Sequence, residues 1–87
     1  MPEHLLVDGK DVVMTSPIYR ELGKRIYEAR TEMEISQSDL AKKVGKHGVS
    51  AVSVSLWESG KRGMSVMRAK EVANALDMTI EELVEGL

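Results

Sequence analysis

Apolar residues recur at helical spacing along most of the chain. Ser16-Pro17 marks a first helix start, and Ile18, Leu22, Ile26 and Ala29 follow on one stripe, predicting a helix to about residue 31 or 32. Ser36-Gln37-Ser38-Asp39 places an acid three positions after a capping serine, and Leu40, Ala41 and Val44 supply the inward face of a second helix. Ser50 caps a third helix over about 51–58, with Val54 and Trp57 inward. Ser65 caps a fourth, with Ala69, Val72, Ala73 and Leu76 on one face. Thr79-Ile80-Glu81-Glu82 is a capping box for a short fifth helix that ends at Gly86. Short loops join the five, which predicts an all-α architecture.

The first residues read differently. Leu5-Leu6-Val7 and Val12-Val13-Met14 are two β-leaning apolar runs around Asp8-Gly9-Lys10-Asp11, a hairpin-turn sequence. A lone two-stranded hairpin is marginal in water. Residues 1–15 therefore lie on the helical core, pair with another chain, or form a loose arm. The expected division is an N-terminal arm or β-hairpin over 1–16 and a helical domain over 17–87.

Composition narrows the class. With 87 residues, no cysteine, 43% hydrophobic and 30% charged side chains, the chain suits one folded core without disulfides or cysteine-based zinc. That fits a reducing cytoplasm. No apolar run reaches membrane-span length, and the start, MPEHLLVDGK, lacks signal-peptide character. Without phenylalanine, the core is built from Leu, Ile, Val, Met and Ala; the six methionines read as gap fillers.

The net charge of −2 conceals a gradient. Residues 1–36 and 64–87 are net acidic, whereas 37–63 carry Lys42, Lys43, Lys46, Lys61 and Arg62 against Asp39 and Glu58. For binding a polyanion the local distribution matters more than the total. Catalytic signatures are missing: there is no nucleophile-elbow serine and no glycine-rich phosphate loop. Neither His4 nor His47 has the companions of a metal site. The chain is read as a non-enzyme without cofactor or metal.

Two short helices joined by a turn, the second opening on small polar residues, form a helix-turn-helix pattern, in which the second helix enters the major groove of double-stranded DNA. Residues 22–84 resemble the Cro/lambda-repressor type, or XRE-like, helix-turn-helix domains. The resemblance is carried by Leu22-Gly23-Lys24-Arg25-Ile26 with Arg30, Ile35-Ser36-Gln37 with Leu40-Ala41, and Val49-Ser50 with Val54-Ser55-Leu56-Trp57-Glu58. Gly60-Lys61-Arg62, Val72-Ala73, Ala75-Leu76 and Glu82-Leu83 follow in register. Two departures stand out: Lys46-His47-Gly48 is inserted between the helices, and Met64 stands where the family often has proline.

The resemblance implies a five-helix lambda-repressor-like fold and a set of DNA-contacting residues. Gln37, at the start of the second helix, would contact phosphate. Ala51, Val52, Ser55 and Leu56 would face bases; with no Arg, Asn or Gln among them, bidentate readout of G or A is not available, leaving thymine-methyl contacts from Ala51, Val52 and Leu56 or single hydroxyl bonds from Ser55, a preference that includes A·T pairs. Ser50 and Ser53, both small, complete the approach to the groove wall. Lys42, Lys43, Lys61 and Arg62 are phosphate-contact candidates, and Lys46 and His47, just before the third helix, are within reach of phosphate or a base edge. Each has a plainer reading: the lysine pair as a solvated helix face, His47 as a loop residue, Gln37 as a good early-helix residue, Trp57 as core.

The leading expectation is a cytoplasmic, nucleoid-associated transcriptional regulator, a phage-type repressor binding a palindromic operator as a homodimer. The competing one is an antitoxin-type interaction module in which residues 1–15 hold a protein partner and the helix-turn-helix serves autoregulation.

Overall fold

The computed structural model describes residues 3–7, 10–14, 16–45 and 49–87, with side chains from Pro17 onward. In chain order the elements are strands β1 (Glu3–Val7) and β2 (Lys10–Met14), then helices α1 (Ser16–Glu32), α2 (Gln37–Val44), α3 (Ala51–Glu58), α4 (Val66–Ala75) and α5 (Ile80–Val84). The strands pair antiparallel, Glu3 opposite Met14 and Val7 opposite Lys10, as the two apolar runs suggest. The expectations for the Asp8-Gly9 turn, the Ser16 side chain and the Lys46-His47-Gly48 insertion fall outside the described residues.

Hydroxyl caps set four helix starts. Ser36 accepts the Asp39 N–H, Ser50 that of Ser53, Ser65 that of Arg68, and Thr79 that of Glu82. Each satisfies a donor that the helix itself leaves unpaired, worth about 1 kcal/mol. In α2 and α5 the box closes reciprocally, because Asp39 and Glu82 accept the cap residue's own N–H. The Ser36 N–H and hydroxyl hold the Asp39 carboxyl below its ordinary value of 3.8.

Two helices end in a way the sequence does not announce. Glu34 and Asp77 adopt left-handed backbone, φ 57° and 56°, after α1 and α4. There the Ile35 N–H reaches back to the Arg30 carbonyl and the Met78 N–H to the Ala73 carbonyl. This is the turn-closing pattern that usually recruits glycine; with side chains in this region the conformation costs about 1 kcal/mol each.

The core gathers Leu22 and Ile26 from α1, Leu40, Ala41 and Val44 from α2, and Val54 and Trp57 from α3. Met64, Ala69, Val72, Ala73, Leu76, Leu83 and Val84 complete it. Met64, at the position where the family often has proline, is buried and fills core volume rather than stiffening the loop. Helix α3 packs on both α1 and α2; α2 rests on α4, and α5 ties α4 back to α1.

The α1–α3 crossing is close because Gly23 has no side chain. A Cβ built there would overlap the Trp57 carbonyl oxygen and crowd that of Glu58. Gly23→Ala must push α3 off α1, and we expect it to lower stability by about 1–3 kcal/mol. Urea unfolding measures this; an unchanged midpoint would show that the crossing adjusts freely.

Candidate nucleic-acid interface

The periodicity of α3 divides it into two faces. Val54 and Trp57 point inward at 0% and 5% exposure, as their spacing predicts. On the other side Val52 is 67% exposed, Ser50, Ser55 and Ser59 are exposed, and Ala51 and Leu56 are half-buried. A two-thirds exposed valine beside exposed serines is an unusual helix surface: apolar, uncharged and without long side chains.

Ser53 departs from the outward position expected of it. It is 8% exposed, since it lies one residue before Val54 and four before Trp57 and so shares their stripe. Its hydroxyl accepts from Arg62 Nη1 at 3.5 Å, and its N–H donates to the Ser50 hydroxyl at 3.3 Å. Ser53 therefore holds the Arg62 guanidinium against the flank of α3.

Gln37, Arg30 and Glu58 lock the helix pair. Glu58, the last residue of α3, has a side chain only 6% exposed. Arg30 of α1 clasps it with two bonds, Nε to Oε2 at 2.6 Å and Nη2 to Oε1 at 3.1 Å. The remaining guanidinium arm donates to the Ile35 carbonyl at 2.9 Å, and the Tyr27 ring lies 5.4 Å beneath. Gln37, the first residue of α2, donates from Nε2 to Glu58 Oε1 at 2.9 Å. A carboxylate at a helix C-terminus opposes the helix dipole; three donors offset that cost here. The Glu58 contact raises the Arg30 pKa from its ordinary value, keeping the guanidinium charged.

The basic side chains fall in two groups. Lys42 and Lys43 are exposed in the last turn of α2, where the helix dipole favours cations. Lys61 and Arg62 are exposed in the loop after α3, whose backbone is pinned by both N–H groups donating to the Leu56 carbonyl. Lys46 and His47 lie outside the described residues.

Sequence reasoning missed Arg68. It lines a pocket of about 220 Å³ with Val49, Ser53, Trp57 and Arg62, which brings two guanidiniums to one recess at the foot of α3. Arg68 also pairs with Glu71 at 3.3 Å. No local pattern flags it, because only the fold brings the Arg68 side chain to the recess beside Ser53 and Trp57. Nor does spacing reveal the pairing of Arg30 with Glu58, although both residues belong to the pattern that carries the family resemblance.

Two short helices locked at a fixed angle, the second offering a small, uncharged outer face between exposed cations, define a helix-turn-helix DNA-binding domain. Comparison with known proteins agrees. A family model described as Helix-turn-helix matches residues 26–83, and the chain belongs to this Cro/C1-type, XRE-like family. It is a DNA-binding transcription regulator. Among solved structures, it is similar to the restriction-modification controller protein C.AhdI from Aeromonas hydrophila. The identity is 31% and the TM-score 0.70, covering 78% of this chain and 94% of that one. No curated protein matches. Among the described residues no helix is long and apolar enough to cross a membrane, and no three metal-ligating side chains cluster.

Two substitutions test the lock and the caps. Glu58→Gln leaves the buried Arg30 charge unpaired and should cost about 3 kcal/mol in urea unfolding, against under about 1 kcal/mol for the exposed Glu81→Gln. Because the Asp39 pKa is depressed on folding, its contribution is present above 3.8 and is lost as pH falls through the folded-state value. The melting-temperature gap between the parent and Asp39→Asn should therefore be largest near neutral pH and close below pH 3.8; a gap independent of pH would contradict the assignment.

Proposed function

We propose that the chain regulates transcription by binding a two-fold symmetric operator as a homodimer, with α3 in the major groove. The observation that carries this reading is the outer face of α3, where exposed Val52 and Ser55 lie between half-buried Ala51 and Leu56. Such side chains touch thymine methyls and accept or donate single hydroxyl bonds, so the operator is read chiefly at A·T pairs. Ser50 caps the helix at the groove wall. A short helix offers few base contacts, and two half-sites about 34–36 Å apart multiply their effect.

Phosphate contacts position the domain. Gln37 Nε2 keeps a second hydrogen after donating to Glu58, and it donates that hydrogen to the DNA backbone beside the start of α2. Lys42, Lys43, Lys61 and Arg62 grip the flanking phosphates, joined by Lys46 and His47 from the insertion and by Arg68. Ser53 acts indirectly, by holding Arg62.

The similarity to a restriction-modification controller protein favours a regulator of such a gene set over the phage-type repressor that the sequence suggests. The antitoxin reading gains no support from that neighbour.

Randomised-site selection at two salt concentrations tests this. The expected product is an inverted repeat whose positions facing α3 are A·T-rich. Val52→Ala should weaken binding by about 0.8 kcal/mol for each methyl group withdrawn from the thymine, and only on sites carrying that thymine. With about five phosphates neutralised per domain, log K should fall with log salt at a slope near −4.5 per domain. A flat salt response or a core of G·C pairs alone would overturn the reading.

A further inference from the structure

The face of α1 turned away from α3 carries a second surface. At 100° per residue, Arg25, Glu28, Ala29 and Glu32 lie roughly opposite Gly23, the residue against α3. Together with the α4–α5 corner they border an open groove of about 820 Å³. Its floor is apolar: Ala29, Met33, Leu76 and Met78. Its rim is acidic: Glu28, Glu32, Glu82 and Glu85.

The carboxylates are poorly compensated. Arg25 is the one cation among the described lining residues, and its guanidinium is committed to the Leu83 carbonyl at 3.1 Å and to Glu21 at 3.4 Å. Glu28 faces Lys24 at 4.0 Å with both side chains solvated, a weak pair. Glu82 accepts the Thr79 N–H with one oxygen, capping α5.

We propose that this groove docks a basic amphipathic helix of a partner protein. A stripe of apolar anchors fits a floor of adaptable methionines, and lysines or arginines flanking that stripe meet the four carboxylates. The chemistry disfavours other occupants. Nucleic acid is repelled by the rim. A second copy of the chain, related by a two-fold axis, brings the same carboxylates against each other. Residues 1–15 are themselves acidic, with Glu3, Asp8 and Asp11 against Lys10. Because the groove lies across α1 from α3, the partner binds without displacing DNA, so the surface is suited to linking a DNA-bound regulator to another protein. The proposal does not depend on how α3 reads its operator.

The test titrates three synthetic peptides into the full ¹⁵N-labelled chain and follows amide shifts. One is a Lys/Leu helix with leucines at helical spacing, one carries the same lysines with serine for leucine, and one is a Glu/Leu helix. The Lys/Leu peptide should bind saturably, about tenfold or more tighter than either control, with shifts confined to residues 25–33 and 76–85. Glu28→Gln, Glu32→Gln and Glu85→Gln combined should weaken it about tenfold while leaving the melting curve and operator affinity unchanged. Four results would overturn the proposal: equal binding of the Lys/Ser peptide, shifts centred on α3, an unaffected triple variant, or a change of oligomeric state in that variant.

Discussion

The bidentate clasp of Arg30 on Glu58 is the contact on which the rest of the interface depends. It joins α1 to the end of α3, and Gln37 extends it to the start of α2. Ion pairs this buried gain little net stability over a well-packed apolar contact, because both charges must leave water. What they supply here is geometry. A planar guanidinium fork accepts a carboxylate in few orientations, so the angle between α2 and α3 is set by directional bonds as well as by the packing of Val54 and Trp57. The Ile35 carbonyl, bonded to the same guanidinium, ties the connection between α1 and α2 into the lock.

That fixed angle explains why α3 has so plain a composition. Its inner stripe, Ser53, Val54 and Trp57, is committed to the core and to Arg62. Its last residue is committed to Arg30. What remains outward is small and uncharged, while exposed cations stand on other segments, in the last turn of α2 and the loop after α3; in the proposed complex these supply the phosphate contacts. Charge and shape are thus separated, with charge around the rim and a close-fitting surface at the centre.

The same core supports two faces of opposite sign. Arg62 and Arg68 share a recess with Ser53 and Trp57 of α3, and Lys42, Lys43 and Lys61 are exposed in the last turn of α2 and the loop after α3; across α1 stand Glu28, Glu32, Glu82 and Glu85. The chain's slight negative net charge averages over both regions and describes neither of them. Keeping these four carboxylates on the far side of α1 removes them from the phosphate backbone that the basic side would meet.

Helix starts are legible in the sequence because capping is local: Ser36, Ser50, Ser65 and Thr79 act within three residues of themselves, and the inward faces follow the helical period. The family is recognisable because its signature residues lie within those short windows. The helix ends are less legible, since Glu34 and Asp77 take a left-handed backbone without the glycine that usually marks it. Ser53 misleads in the same way, because a small polar residue beside the core stripe looks outward until Arg62 is seen to satisfy it. Arg30 with Glu58, Arg25 with Leu83, and the recess shared by Arg62 and Arg68 join residues of different helices and loops. The sequence by itself determined where helices begin and which stripe of each turns inward, because hydroxyl caps and apolar periodicity act over a few residues. Only the tertiary structure decided which charges are buried, which meet and which remain free, because those outcomes depend on helices packed across the core.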